Sequence, residues 1–166
     1  MNKRTLIIII CAIVLVVAAV VTALVMGSKK YDDSFSSIDL YNKVANSFET
    51  SGGMIVLDDD IILEFMDEKP GYLLNYTVVR AQNAKNINEV GIFKVENGKA
   101  KELKSTIEKY VADTQSAYRT MDYFPEEVEK IDCATVKVYG NYIVYSFLNE
   151  ADTEAFYKAI ENQIKK

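Results

Sequence analysis

The chain has 166 residues and a formal net charge of −5, with 49% hydrophobic and 26% charged residues, the balance of one globular domain plus an apolar segment. It contains no His, no Trp and two cysteines, Cys11 and Cys133. A zinc site built from Cys and His is excluded by count, and so is any catalytic dyad or triad with a His base.

The first element is "TLIIIICAIVLVVAAVVTALVMG", Thr5 to Gly27, which holds no charge over 23 residues. At 1.5 Å per residue it reaches about 34 Å, enough to cross a hydrocarbon core as a helix. Its β-branched residues do not oppose helix, because in lipid only a helix satisfies a segment's own backbone. The reading is an uncleaved signal anchor. The alternative is a cleaved signal peptide, whose apolar region usually runs about 7–15 residues, with Val25-Met26-Gly27 as a poor cleavage site. A lipoprotein is discounted, because Cys11 follows Ile8-Ile9-Ile10 rather than a small residue, and comes too early.

Lys3 and Arg4 precede the span and Lys29 and Lys30 follow it, so the loop charge bias is nearly balanced. The short N-terminal tail favours residues 1–4 in the cytoplasm and residues 36–166 outside, on a linker at 28–35. Four of the 19 basic residues lie before Tyr31 and no acid does, so residues 31–166 carry 15 basic and 24 acidic side chains, a net −9. That sign disfavours nucleic acid as a partner.

Beyond the linker, Ile38, Tyr41, Val44, Ala45 and Phe48 recur at helical spacing, with Ser36 or Ser37 as N-cap. "MIVL" reads as a short extended piece. "DDDIILEFMDEKPG" reads as a short helix capped by Asp58 or Asp59, burying Ile61, Ile62, Phe65 and Met66. "YLLNYTVVR" is a strand with Leu74, Tyr76 and Val78 on one face, and "EVGIFKV" is a second strand. Leu103, Ile107, Tyr110, Val111, Thr114, Tyr118 and Met121 mark one face of a long helix. Pro125 suits a first helical position, and Glu126 and Glu127 suit the dipole of a first turn.

"CATVKVYGNYIVYSFL" is a hairpin around Gly140-Asn141, a type II′ turn. That turn sets Tyr139 opposite Tyr142, Val138 opposite Ile143, Val136 opposite Tyr145 and Ala134 opposite Phe147. The apolar face and the turn agree on this register, and the face with Thr135, Lys137, Tyr139 and Ser146 is expected to be partly solvated. Phe156, Tyr157, Ile160 and Ile164 give a C-terminal helix capped by Asp152 or Thr153. The run "short helix, two strands, helix" occurs twice, a hint of duplication. The predicted fold is α+β, with an antiparallel sheet of about four strands and helices mainly on one face.

Little in the chain looks like chemistry. Gly98-Lys99 after a strand suggests a phosphate loop, but a P-loop needs G-x-x-x-x-G-K-[ST], and here Ala100 follows Lys99. The pair reads as a turn. Asp58-Asp59-Asp60 lacks the alternation of a calcium loop and reads as a solvated cap. Glu126 and Glu127 point apart as helix neighbours. Glu89 opens a strand and is harder to explain. Tyr118, Tyr123, Tyr139 and Tyr142 sit near element ends, where exposed tyrosines bind glycans or partners, although ordinary packing explains them too. Cys133 reads as a small buried residue.

Asn86 and Glu89, Gly98-Lys99, Tyr123, Pro125-Glu126-Glu127 and Gly140-Asn141-Tyr142 carry a resemblance. Over roughly residues 36–165 the chain resembles a family of small membrane-anchored or lipoprotein-type envelope proteins of Firmicutes, defined by a domain of unknown function. The resemblance implies location and domain identity, and brings no activity, cofactor or catalytic residue. The expected function is a single-pass, non-catalytic binding or accessory module of the cell envelope, not an enzyme and without cofactor or metal. Its expected partner is an envelope protein or wall component, met through Glu89, Tyr118, Tyr123, Tyr139 and Tyr142. The alternative is a small carboxylate-dependent enzyme acting on glycans through Glu89, Glu126 or Glu127.

Overall fold

Segments rich in β-branched and aromatic residues form five strands: β1 (Met54–Val56), β2 (Leu73–Ala81), β3 (Glu89–Val95), β4 (Thr135–Tyr139) and β5 (Tyr142–Phe147). All neighbours pair antiparallel, in the order β1-β2-β3-β5-β4. The helices are α1 (Ser37–Val44), α2 (Ala100–Thr120), α3 (Pro125–Cys133) and α4 (Glu150–Ile164), with short 3₁₀ helices at Ala45–Ser47 and Asp59–Glu64. The structure, a computed structural model, describes residues 31–49, 53–83, 85–120 and 125–166, and at Pro125 and Glu126 the backbone alone. The expected membrane span at 5–27, Cys11, Met121, Tyr123 and Phe124 lie outside the described residues. Among the described residues no helix is long and apolar enough to cross a membrane.

The sheet is covered on both faces, not mainly one. Val79, Val90, Ile92, Tyr142 and Val144 pack with Leu40, Tyr41, Val44 and Phe48 of the α1 region and with Phe156, Tyr157, Ile160 and Ile164 of α4. Val78, Phe93, Val95, Ile143, Tyr145 and Phe147 pack on the other side with Ile61, Ile62 and Phe65 and with Leu103, Ile107 and Val111 of α2. The sequence expectation failed at β5. Ser146, expected on a solvated face, is buried, and every residue of β5 is buried with it. A strand buried on both faces reads as a continuous apolar run, and "YIVYSF" is close to that.

The hairpin register is as the turn requires: Tyr139 pairs with Tyr142, Val138 with Ile143 and Val136 with Tyr145. Gly140 has φ +59 and, among the described residues, no non-glycine residue has positive φ, which fits type II′ and excludes I′. At the start of β2 the expected alternation breaks. The pairing shifts between Leu73 and Asn75, so Leu73 is buried and Leu74 is exposed. An extra residue in one strand moves the side chains before it to the opposite face.

Local signals explain the helix starts, with two corrections. Ser36 caps α1 by accepting from the Asp39 backbone N–H. Asn149, rather than Asp152 or Thr153, caps α4 by accepting from the Asp152 N–H. Asp152 instead accepts from the Glu49 backbone N–H at 2.8 Å, tying α4 to the end of the α1 region. Asp58 precedes the 3₁₀ helix but makes no side-chain cap bond. Gly98 turns the chain at φ +82, and Lys99 Nζ donates to Glu102 at 2.8 Å.

Residues 31–35, read from sequence as linker, are docked. Tyr31 bridges to Lys165, and the Asp32 N–H donates to the Ile164 carbonyl. Asn141 Nδ2 donates to Asp33, and the Phe35 carbonyl accepts from Lys94 Nζ and from the Tyr142 hydroxyl. Tyr31 also lies edge-on to Tyr139. The suspected duplication is one of element order alone, since α2 and α4 cover opposite faces of the sheet.

Candidate functional site

Glu89 opens β3 and faces the α2 side of the sheet, where it is only 3% exposed. An ionised carboxylate there must be paired and hydrogen-bonded. Cross-strand register supplies the first partner: Glu89 stands directly opposite Arg80 at the end of β2, and Arg80 Nε donates to Glu89 Oε2. Two phenols supply the rest. Tyr145 OH donates to Glu89 Oε1 at 2.5 Å, and Tyr110 OH donates to the same oxygen at 2.8 Å. Both carboxylate oxygens are therefore engaged.

Tyr145 reaches Glu89 because of Gly91. Gly91 and Tyr145 are a cross-strand pair, and a Cβ on Gly91 would overlap the Tyr145 ring. The missing side chain lets the ring lie across β3 toward the residue two positions back. Phe65, Phe93, Tyr110 and Phe147 then surround it at centroid distances of 5.7–6.2 Å. Burial, and then the Glu89 charge, push the Tyr145 phenol well above its ordinary pKa. The same two causes, in the same order, raise Tyr110. Both phenols stay protonated and act as fixed donors to the carboxylate.

Arg80 connects this buried centre to the surface. Its Nε edge faces Glu89, while its terminal nitrogens grip Glu64 at 2.8 Å and 3.4 Å. The same end donates to the Tyr110 hydroxyl at 3.2 Å. Burial opposes the guanidinium charge, but the Glu64 hydrogen bond and the Glu89 charge outweigh it and raise the Arg80 pKa. Beside Arg80 opens a cleft of about 280 Å³, lined by Glu64, Asn86, Ile87, Tyr110, Thr114, Ala117 and Tyr118 among others. A second hollow of about 400 Å³ shares Glu64, Tyr110, Thr114 and Ala117 with it and extends along α2 to Lys109 and Asp113.

Glu127 is used otherwise. It is buried on α3, accepts the Ile87 backbone N–H at 2.8 Å and takes Lys130 Nζ at 2.7 Å. It therefore fastens the β2–β3 loop to α3. Asn86 joins the same lock, accepting from the Asn88 N–H and from Lys130.

Of the residues singled out in the sequence, Tyr118 lies on the cleft wall, and Glu89 is bonded to Arg80 and Tyr110, which line the same cleft. Tyr118 also meets Phe147 edge-on. Tyr139 and Tyr142 sit at the opposite end of the strands. Tyr142 is buried and hydrogen-bonds to the Phe35 carbonyl, and Tyr139 is buried against α4. Tyr123 and the Glu126 side chain lie outside the described residues. Cys133 is partly exposed, and burial together with Glu129, Glu150 and Asp132 raises its thiol pKa. Sequence reasoning missed Arg80, Tyr110, Tyr145 and Gly91. The available signal was the hairpin: Arg80 ends one apolar strand, Glu89 starts the next, and opposite charges at facing positions attract.

The model of a family described as a domain of unknown function, DUF4358, matches residues 72–148. Residues 72–148 are thus similar to that domain of unknown function, and the match runs from β2 to the end of β5. It includes Arg80, Glu89, Gly91, Tyr110 and Tyr145, and is narrower than the 36–165 span implied by the resemblance. No curated protein and no solved structure matches the chain.

Proposed function

We propose that the protein is a single-pass membrane-anchored, extracytoplasmic binding module of the bacterial cell envelope, without catalytic activity. The observation that carries the non-catalytic reading is the state of Glu89. A general acid or nucleophile needs a carboxylate free to meet substrate, and both Glu89 oxygens are held by Arg80, Tyr110 and Tyr145. Glu127 is likewise held by Ile87 and Lys130. What remains open is the adjoining cleft, with a guanidinium, two phenols, a hydroxyl and an amide on its walls. The uncharged segment Thr5–Gly27 supports the anchor, and the net −9 of residues 31–166 supports a partner other than nucleic acid.

The test places a photo-crosslinking amino acid at Ala117, on the cleft wall, in the intact protein in cells. Capture of an envelope protein or a wall fragment is expected, together with digestion of the domain by protease added outside. Protection from that protease overturns the outward orientation. Hydrolysis of wall glycan by the purified chain, abolished in Glu89→Gln, replaces the binding reading with the enzymatic one.

A further inference from the structure

We infer that the outer edge of the Arg80 guanidinium is a carboxylate-binding site, and that Glu64 occupies it from within the chain. The inference rests on the cleft being the binding site of the module and names the chemistry of its ligand.

Arg80 is positioned without help from Glu64. Its Nε edge is held by the buried Glu89, which Tyr110 and Tyr145 hold in turn. The Tyr110 hydroxyl also accepts from the outer end of the guanidinium. This fixes a planar fork whose remaining N–H groups point to the cleft. Such a fork matches a carboxylate in geometry as well as charge, and a fork already held in place loses little freedom on binding.

The group now on that edge is weakly placed. The Glu64 side chain is half exposed, and its partner Arg80 is about one-third exposed. Glu64 ends the 3₁₀ helix Asp59–Glu64, a tight element of poorer hydrogen-bond geometry that starts without a side-chain cap. An ion pair with this exposure contributes little to stability, so an external carboxylate competes with it on nearly even terms. When Glu64 leaves, its carboxylate moves into solvent and the fork keeps its orientation. The wall next to the fork offers the Thr114 hydroxyl and the apolar surfaces of Ala117 and Tyr118 to the body of a ligand. The ligand class is thus a small carboxylate with an apolar or ring-shaped body. A peptide chain end and a carboxylated sugar both supply that chemistry.

The experiment follows the Arg80 Nε–H resonance in the intact chain while sodium acetate is added, with sodium chloride at equal ionic strength as control. Saturable shifts with acetate but not chloride are expected. In Glu64→Gln the apparent dissociation constant should fall about five-fold, the scale of self-competition by one exposed ion pair. Arg80→Lys, followed through the backbone amides of Tyr110 and Thr114 on the cleft wall, should lose the saturable acetate shifts that the same amides show in the unaltered chain, since an ammonium lacks the fork. N-acetyl-dialanine against its C-terminal amide, and glucuronate against its methyl ester, then separate the two sources. If Glu64→Gln folds with an unchanged Tyr110 and Tyr145 environment and acetate still produces no saturable shift, the inference is overturned. Crosslinking from Ala117 does not depend on a carboxylate. A specific capture there alongside a silent Arg80 would reject the ligand class while keeping the binding module.

Discussion

The Tyr145 ring occupies the space that a side chain on Gly91 would fill: a Cβ there would stand 2.7 Å from Tyr145 Cζ and closer still to Cε1. This pairing of an absent side chain with a large one is what aims the Tyr145 phenol at Glu89. Gly91→Ala should therefore act on two levels. The ring must move, which costs about 1–3 kcal/mol in a well-packed core, and the hydrogen bond to Glu89 is lost with it. Urea denaturation of the full chain is expected to show at least that loss. Unchanged stability would mean that the ring has another place to go.

Removing the charge at the centre should cost more than removing one donor. Glu89→Gln leaves the inner edge of Arg80, the buried Tyr145 phenol and the partly buried Tyr110 phenol without a carboxylate. Breaking a buried pair from one side typically costs about 3–5 kcal/mol, and since Arg80 keeps one side toward solvent we expect about 3 kcal/mol. Tyr145→Phe removes one hydrogen bond to a charged group and should cost about 1.5–3 kcal/mol. The order of the two losses, measured in the same denaturant series, is the informative result.

Glu127→Ala should loosen the β2–β3 loop without dissolving the Glu89 centre. Glu127 holds the Ile87 N–H, and no strand pairing protects that group in its place. Hydrogen exchange at Ile87 should accelerate by at least tenfold, while exchange at Val90 and Ile92, inside β3, stays slow. Equal acceleration along β3 would mean that the lock is part of the core.

Stability should fall at alkaline pH. Burial, followed by the charges of Asp33 and Asp32, pushes Tyr142 up to about 12 from an ordinary value of 10.0. Burial also raises Tyr41, Tyr139 and Tyr157. A phenol with a raised folded pKa binds its proton more tightly in the native state. Its contribution is complete below about pH 10 and is lost as pH rises through the folded value. The tyrosinate absorbance of the native protein should rise late, in step with loss of helical circular dichroism. An early rise with the fold intact would show these phenols to be solvated.

The β4–β5 hairpin was legible because two independent signals, turn chemistry and apolar alternation, set one register. Leu74 was misplaced on the face of Tyr76 and Val78 because a bulge leaves no mark in hydrophobicity. The second helical layer was missed for a related reason: Ser146 looked like a solvent residue, but its hydroxyl sits against the Tyr157 hydroxyl at 3.3 Å under α4. At the site, Glu89 stood out as an acid at the head of an apolar strand. Its partners did not, because Tyr110 and Tyr145 also fit an ordinary apolar face, and Gly91 signals only when the residue across the sheet is known.

The docked segment at residues 31–35 gives the domain a direction. The chain enters beside Tyr142 and Lys94, whereas Glu89 and the cleft lie at the other end of β3. Five residue steps of about 3.4 Å separate the two ends, roughly 17 Å of paired strand. β3 runs between them with hydrogen-bonded neighbours on both sides. Tyr31–Phe35 and the cleft thus lie at opposite ends of the central strand, and β3 is the rigid spacer that sets the distance between them.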